Sequence, residues 1–387
     1  MMHGAAQGLT IRVHASLRDA EADLETPGLA GYAFGRHVWL RAWHETLGVG
    51  VAPAIVVVAD TQVRLVVPLG LVRRRGLRVL EFLGGVVSDY NSPLADPAFV
   101  EALDAASVRA LWTRIAAALP PHDTVRLLRM PASLDPPQGA AAGRVPNPLV
   151  HLPGATAAGV ARSVTLPDSY ATLVGSLRNQ FAADTRRRWR RLAEVGSTDF
   201  AVATDATAMR DLLVGLKRMK SRRWLETGDR DWFADPAFAG FYDAMSRMTV
   251  PEGRVHGCAL TVAGTIVAAH LGLVYRGRFC LLLLGWESGN WQRFSTGRLM
   301  IDAMMKAAID EDHQVFDFTV GDEAYKREWA DTELLLFRCE SAVTMRGRLA
   351  LAAVSMREDL RARAKRVTWL RRAIRRLAGR SPLPGTG

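Results

Sequence analysis

The chain has 387 residues, 49% of them hydrophobic, with ten tryptophans and thirteen phenylalanines, which supplies a sizeable core and argues against disorder. The longest apolar runs, AIVVVA and CLLLL, are strand-length, well short of the roughly 18 residues that a membrane-spanning helix needs. Net charge is +11, but twelve Lys and Arg against two acids lie between Arg346 and Arg380, leaving 38 basic and 37 acidic residues before position 346; a neutral body with a basic tail argues against a protein that binds nucleic acid over its whole surface.

The length predicts two domains at about 100–200 residues each. In chain order, the pattern predicts a helix over 34–47, strands in PAIVVVAD, VRLVVPLGLVRR and LRVLEFLGG, and a polar loop, SDYNSPLADP. One strong helix through AFVEALDAASVRALWTRIAAAL and a strand, DTVRLLRM, follow. Residues 131–165 are rich in Pro, Gly and Ala without periodicity and read as linker or surface loop. Helices are expected over 169–193 with a bend near Arg178–Asn179, then a strand, DFAVATD, a helix through Lys220, and another over 237–247. Three strands, RVHGCALTVAG, TIVAAHLGLVYRG and RFCLLLLGWE, carry hairpin signals at Ala263–Gly264 and Arg276–Gly277. The loop SGNWQRFST enters a helix in which Ile301, Met304, Met305, Ala308 and Ile309 keep the amphipathic helical period. VFDFTVGDEAYKREW then reads as a strand, a glycine stop and a helix capped by Asp322, and ELLLFRCESAV as the last strand.

Three cysteines without a CxxC pair suit a reducing cytoplasm, and nine histidines without HExxH or ligand spacing predict no metal. The N-terminal MMHGAAQGLTIRVH lacks the charged-then-apolar order of a secretory signal.

The order strand, strand, strand, loop, helix, strand, helix from Val255 to Ala330 resembles the acyl-CoA-binding core of the GNAT acyltransferase superfamily. In that core two parallel strands splay apart around the cofactor, and a helix N-terminus offers free N–H groups to its pyrophosphate. The loop Gln292-Arg293-Phe294-Ser295-Thr296-Gly297 matches the superfamily pattern Q/R-x-x-G-x-G/A at Gln292 and Gly297, with Ser295 in place of the first glycine. Ser295 or Thr296 can cap the helix, Gly297 admits a close backbone approach, and Arg293 and Arg298 add charge. The blocks FGRHVWLRAWHETLG, LEFLGGVVSDYNSPL, SLRNQFAADTRRRWRRLAEVG, KSRRWLETG and FDFTVGDEAYKREWA resemble those of the CelD/BcsL-like proteins, GNAT-related and linked to cellulose or other exopolysaccharide synthesis. That family is similar to the FemABX-type transferases, which pair two GNAT-like domains.

The resemblance implies an α/β protein with mixed sheets, of two tandem GNAT-like lobes plus a C-terminal basic amphipathic helix. A degenerate lobe is expected over 1–150, a linker over 151–165, the acyltransferase lobe over 166–345 and the basic tail over 346–387. It implies acyl-CoA, such as acetyl-CoA, as co-substrate and an amine or hydroxyl acceptor on a glycan precursor. Aminoacyl-tRNA as donor, or a scaffold role in a cellulose synthesis complex, are the alternatives.

Within this frame Tyr325 is the expected proton donor to the departing thiolate. By strand parity Asp317 faces away from Phe316 and Phe318, so it either pairs with a cation or lines a groove. Glu287 is a candidate base and His270 an alternative, against the plainer reading of His270 as a core residue. Lys326 is expected to hold a phosphate or acidic group or to pair with Asp317. Arg223 and Trp224 suggest a substrate wall, and Asp89 and Tyr90 a loop closing over the site. The arginines from Arg186 to Arg191 read mainly as a solvated helix face. Residues 346–380 suit contact with an anionic membrane surface or a synthase complex, which would place a cytoplasmic protein at the inner-membrane periphery.

Overall fold

The computed structural model describes residues 8–137, 143–354 and 356. The first half contributes β1 (Thr10–His14), α1 (Glu21–Leu24), α2 (His37–Thr46), β2 (Ala52–Ala59), β3 (Val63–Arg74), β4 (Leu77–Phe82), β5 (Leu94–Ala95), α3 (Pro97–Glu101), α4 (Ala105–Ala118), β6 (Thr124–Pro131), β7 (Ser133–Leu134) and β8 (Val145–Pro146). β9 (Ala155–Thr165) leads into α5 (Tyr170–Ser176), α6 (Asn179–Ala193), β10 (Thr198–Val202), α7 (Ala206–Thr227), α8 (Pro236–Met245), β11 (Gly253–Val262), β12 (Thr265–Tyr275) and β13 (Arg278–Trp286). α9 (Thr296–Asp310), β14 (Val315–Val320), α10 (Ala324–Arg327) and β15 (Thr332–Ala342) complete the second half.

The hairpin turns form as their sequences predict. Ala263–Gly264 and Arg276–Gly277 all take positive φ, the geometry of a two-residue turn that matches strand twist. The expected single helix after the SDYNSPLADP loop is instead two, because the Asp104 carboxylate accepts the Ser107 N–H at 2.7 Å and starts α4 afresh. α7 runs seven residues past Lys220, to Thr227. Residues 345–354 are helical; the rest of the expected basic tail helix lies outside the described residues.

The expected linker over 151–165 is corrected by the sheet. β9 is a strand bonded on both sides, antiparallel to β14 and to β15. One thirteen-stranded sheet runs β1-β2-β3-β4-β6-β15-β9-β14-β13-β12-β11-β10, with β5 beside β3. Each half has one parallel pair spanned by a helix, β4 with β6 across α4 and β13 with β14 across α9. β9, the next strand of the large sheet after β6 in sequence, pairs with β14, and β15, the strand after β14, pairs with β6. The two halves therefore exchange their closing strands.

Side-chain parity then sorts the core into three layers. Ile55 and Val57 pack with Ala269, Leu271, α2, α7 and α8 on a face common to both halves, where Trp39 meets Phe241 edge-on at 5.1 Å. Val56 and Val58 pack under α4, and Leu260 and Ala268 under α9, on the opposite face of each half.

Ionic groups tie the halves on the common face. The Arg278 guanidinium donates to both oxygens of Asp135 at 2.6 Å and to Asp317 at 3.0 Å. Asp317, 1% exposed, also accepts the Tyr90 hydroxyl at 2.8 Å and the Thr319 N–H at 2.7 Å. Burial pushes its carboxyl above the ordinary range, against the pull of Arg278. Arg36 makes a second tie, donating to the Tyr275 hydroxyl at 2.9 Å.

Two outcomes are expected. A fragment of residues 166–345 lacks β9 and leaves β14 and β15 with unpaired edges, so urea titration followed by circular dichroism should show no cooperative transition. Asp317→Ala should lower unfolding free energy by about 3 kcal/mol, the low end for breaking a buried ion pair because Arg278 keeps Asp135; a change under about 0.5 kcal/mol, the range of surface substitutions, would refute the seam.

Candidate active site

β13 and β14 pair only from Arg278 to Cys280 and from Val315 to Asp317, and then diverge. Thr319 marks the departure with φ +59, costly for a β-branched residue by about 1–3 kcal/mol. The Asp317 carboxylate holds its N–H, and its hydroxyl reaches the Leu281 carbonyl at 3.4 Å. The pairing of β14 with β9 slips at the same place. A strained bulge therefore opens the wedge.

An apolar slot of about 280 Å³ occupies the wedge, lined by Leu284 and Trp286 from β13, Gly297 and Ile301 from α9, and Tyr325 and Trp329 beyond β14. It shares Phe181, Arg298 and Tyr325 with an open shelf of about 830 Å³, on which Arg178, Arg187, Arg190, Asp184 and Glu328 lie. From the sequence the α6 arginines are expected to form mainly a solvated face. The structure brings α6 across the start of α9: Asp184 pairs with Arg187, Arg188 and Arg298, and Trp189 donates to the buried Asp302 at 2.7 Å. The signal in the sequence was Asp184 placed three and four residues before two arginines, with an indole beside them.

The predicted phosphate loop is partly in the site. Gln292, Ser295, Gly297 and Arg298 line the slot; Arg293 and Thr296 do not. Ser295 takes the left-handed conformation a glycine would favour, φ 53, and its hydroxyl accepts Arg188 Nη1 at 2.8 Å rather than capping α9. Thr296 Oγ1 is buried and has no partner among the described residues. Gly297 is needed for a reason other than ligand approach: a Cβ there would sit 2.9 Å from the Trp286 indole, so glycine lets that ring form the slot wall. The Arg298 guanidinium stacks on Phe181 at 3.6 Å and donates to the Phe181 carbonyl.

Tyr325 lies at the junction of slot and shelf. Its ring packs edge-on to Phe318, its side chain is 41% exposed, and its hydroxyl has no protein partner among the described residues. Burial, with Glu323 nearby, pushes the phenol well above its ordinary value, so it stays protonated and able to donate.

The other predicted residues lie elsewhere or are occupied. Asp317 faces the common layer and not the slot, because Tyr90 and Arg278, far away in sequence, claim its oxygens. Glu287 is held by Arg218 and Arg222 from α7, so both its oxygens are occupied. Lys326 is buried and bonded to the Val320 carbonyl at 2.7 Å and to Glu323, not to Asp317. His270 is fully buried. Trp224 packs against Phe233 and Phe238 and carries Lys220 over its ring, while Arg223 reaches toward Trp286 at 5.9 Å. Asp322 does not cap α10; it pairs with Arg162 and Arg327, which hold its carboxyl down to about 2.

Asp89 and Tyr90 have different places. Tyr90 belongs to the seam, whereas Asp89 sits beside Thr319, pairs with Arg129 at 3.5 Å, and is raised above the usual carboxylate range by burial. Their loop fills the matching wedge of the first half: Asn91 donates to the Arg129 and Leu128 carbonyls at 3.0 Å, where β4 has already left β6.

Residues 179–327 match the family described as Acetyltransferase (GNAT) domain. No curated protein matches the chain. The crystal structure of FemX is similar with a TM-score of 0.56 at 13% identity, over 84% of this chain and 96% of that one. A conserved protein of unknown function from Bacteroides thetaiotaomicron gives 0.51 at 12% identity, over 87% of this chain and 100% of that one. A tandem GNAT protein from the clavulanic acid biosynthesis pathway gives 0.42 at 13%, over 86% and 98%. No helix among the described residues is long and apolar enough to cross a membrane. Residues 179–327, which hold the slot and most of its rim, thus match a GNAT acetyltransferase domain model, within a fold similar to that of FemX.

Proposed function

We propose that the protein transfers an acyl group from acyl-CoA, acetyl-CoA in the simplest case, to an amine or hydroxyl of a sugar, envelope or exopolysaccharide precursor. One observation carries this reading: an apolar slot ends at a protonated tyrosine and opens onto a cationic shelf at the start of a helix. A thioester arm fits the slot, and the phosphates of its carrier suit the α9 N-terminus and the arginines of α6. The attacking amine forms the C–N bond as the C–S bond breaks, and the Tyr325 hydroxyl gives its proton to the departing thiolate. We assign to Asp89, beside Thr319 where the strands part and raised by burial, the proton that the acceptor loses. The resemblance of several sequence blocks to CelD/BcsL-like proteins supports an exopolysaccharide or envelope acceptor, and the +10 charge of residues 346–380 supports docking on an anionic membrane or a synthase complex.

The breadth of the shelf favours a second reading, in which an aminoacyl-tRNA is the donor and its backbone lies along Arg187 and Arg190.

Calorimetry separates the two. Acetyl-CoA should bind the wild-type chain, and Gly297→Asp, which drives a carboxylate against Trp286, should abolish that heat while leaving the circular dichroism spectrum intact. No heat at millimolar acetyl-CoA, with retention of charged tRNA on a filter, would move the assignment to the second reading. Tyr325→Phe should leave stability within about 0.5 kcal/mol and acyl-CoA affinity unchanged, yet reduce kcat about 100-fold. The wild-type rate should climb with pH as an amine acceptor deprotonates, with no falling limb below the ordinary tyrosine value of 10.0.

A further inference from the structure

Beneath α9, away from the slot, three side chains that the transfer reaction does not use converge. His256 and Cys258 stand two residues apart on one face of β11, and His270 is paired with Cys258 across β12. They are 2%, 0% and 0% exposed. Their potential ligand atoms all lie within 4.8 Å of one another.

Packing alone does not account for this group. Neither ring nitrogen of His256 has a hydrogen-bond partner among the described residues, nor does Nε2 of His270. A neutral imidazole carries one N–H and one lone pair, and at His256 neither has a protein partner among the described residues, so its lone pair is free for a ligand. The single polar contact inside the group is from Cys258 Sγ to His270 Nδ1, at 3.8 Å. Gly272 stands opposite His256, and a Cβ on it would lie 2.1 Å from the Cys280 carbonyl and 2.7 Å from His270 Nε2. Phe279 walls the group, stacked on His270 and edge-on to His256.

The separations suit a metal ion. Bonds of about 2.0 Å to nitrogen and 2.3 Å to sulfur place neighbouring ligand atoms about 3.5–3.7 Å apart in a trigonal or tetrahedral site. Cys258 and His270 already stand at 3.8 Å, so only His256 must draw in, by up to about 1.5 Å, to reach those bond lengths. Two imidazoles and a thiolate without a carboxylate select a soft d10 ion over calcium or magnesium.

We propose that His256, Cys258 and His270 bind one d10 metal ion, Cu⁺ or Zn²⁺, as a structural site joining β11 and β12 beneath α9. Cys258 loses its proton to water as the metal–sulfur bond forms. Burial holds both imidazoles neutral, His256 down to about pH 4, so their lone pairs are available. Cu⁺ is satisfied by the three ligands and leaves the site uncharged. Zn²⁺ requires a fourth ligand, which a water molecule supplies, because His313, just past the end of α9, is paired with Glu311 at 3.1 Å. Because the ligands are buried, the ion enters as the sheet forms and is then slow to leave.

The test is to produce the full chain in medium supplemented with zinc or with copper under reducing conditions, strip surface metal with a chelator, and count ions by mass spectrometry. Near one ion per chain is expected, retained by the folded protein and released in denaturant. Cys258→Ala should fall to background and Cys339→Ala should not. The element counted by mass spectrometry distinguishes copper from zinc, and His313→Ala should retain the ion. Should Cys258→Ala fail to fold, X-ray absorption at the metal edge of the wild-type chain reads the ligands directly, with one sulfur and at least two imidazole nitrogens expected. A folded wild-type chain with only background metal, an ion that Cys258→Ala retains, or an edge spectrum without sulfur each overturns the site.

Discussion

Everything in the molecule rests on β9 and β15 lying side by side, each in the half to which the other belongs by sequence. Backbone hydrogen bonds are obligatory for buried strands, so neither half can complete its ladder without the other. The exchange turns two repeats of one plan into one continuous sheet. It also explains why charge is buried at the seam: β14, with an exchanged strand on one flank and β13 on the other, brings Asp317 to Arg278, and Asp135 and Tyr90 come from the first half to satisfy them. A hydrophobic seam of equal volume would bind as well, but the fork of Arg278 also sets the registration of the halves.

The site inherits its shape from that arrangement. Asp317 uses one oxygen to hold the Thr319 N–H, and Thr319 in turn carries the bend that separates β14 from β13. The residue that looked catalytic in the sequence therefore acts on the slot from behind. On the other side α6 is clamped over α9 by Asp184, so the arginines reaching the shelf are held by a scaffold rather than left to solvent.

What was legible in the sequence was what local chemistry decides. Ala-Gly and Arg-Gly pairs between apolar runs mark hairpins, the period of Ile301, Met304, Met305 and Ala308 marks a buried helix face, and parity puts Asp317 opposite Phe316 and Phe318. What was hidden depends on distant partners. β9, ATAAGVARSVT, has no alternating apolar pattern because most of its pairing is with a strand almost 180 residues away. Glu287 reads as a free acid until α7 lays two arginines on it, and His270 reads as a lone core histidine until β11 brings His256 and Cys258 beside it.

The loop that fills the first-half wedge gives the molecule its asymmetry. Asn91 bonds the two carbonyls that a separated β6 leaves bare, so the chain fills this wedge with its own loop where the second half has an open apolar slot. A molecule built on twofold lines is thus asymmetric at its two wedges. The occupied copy is a brace whose loop extends across the seam to place Asp89 and Tyr90 against the other half.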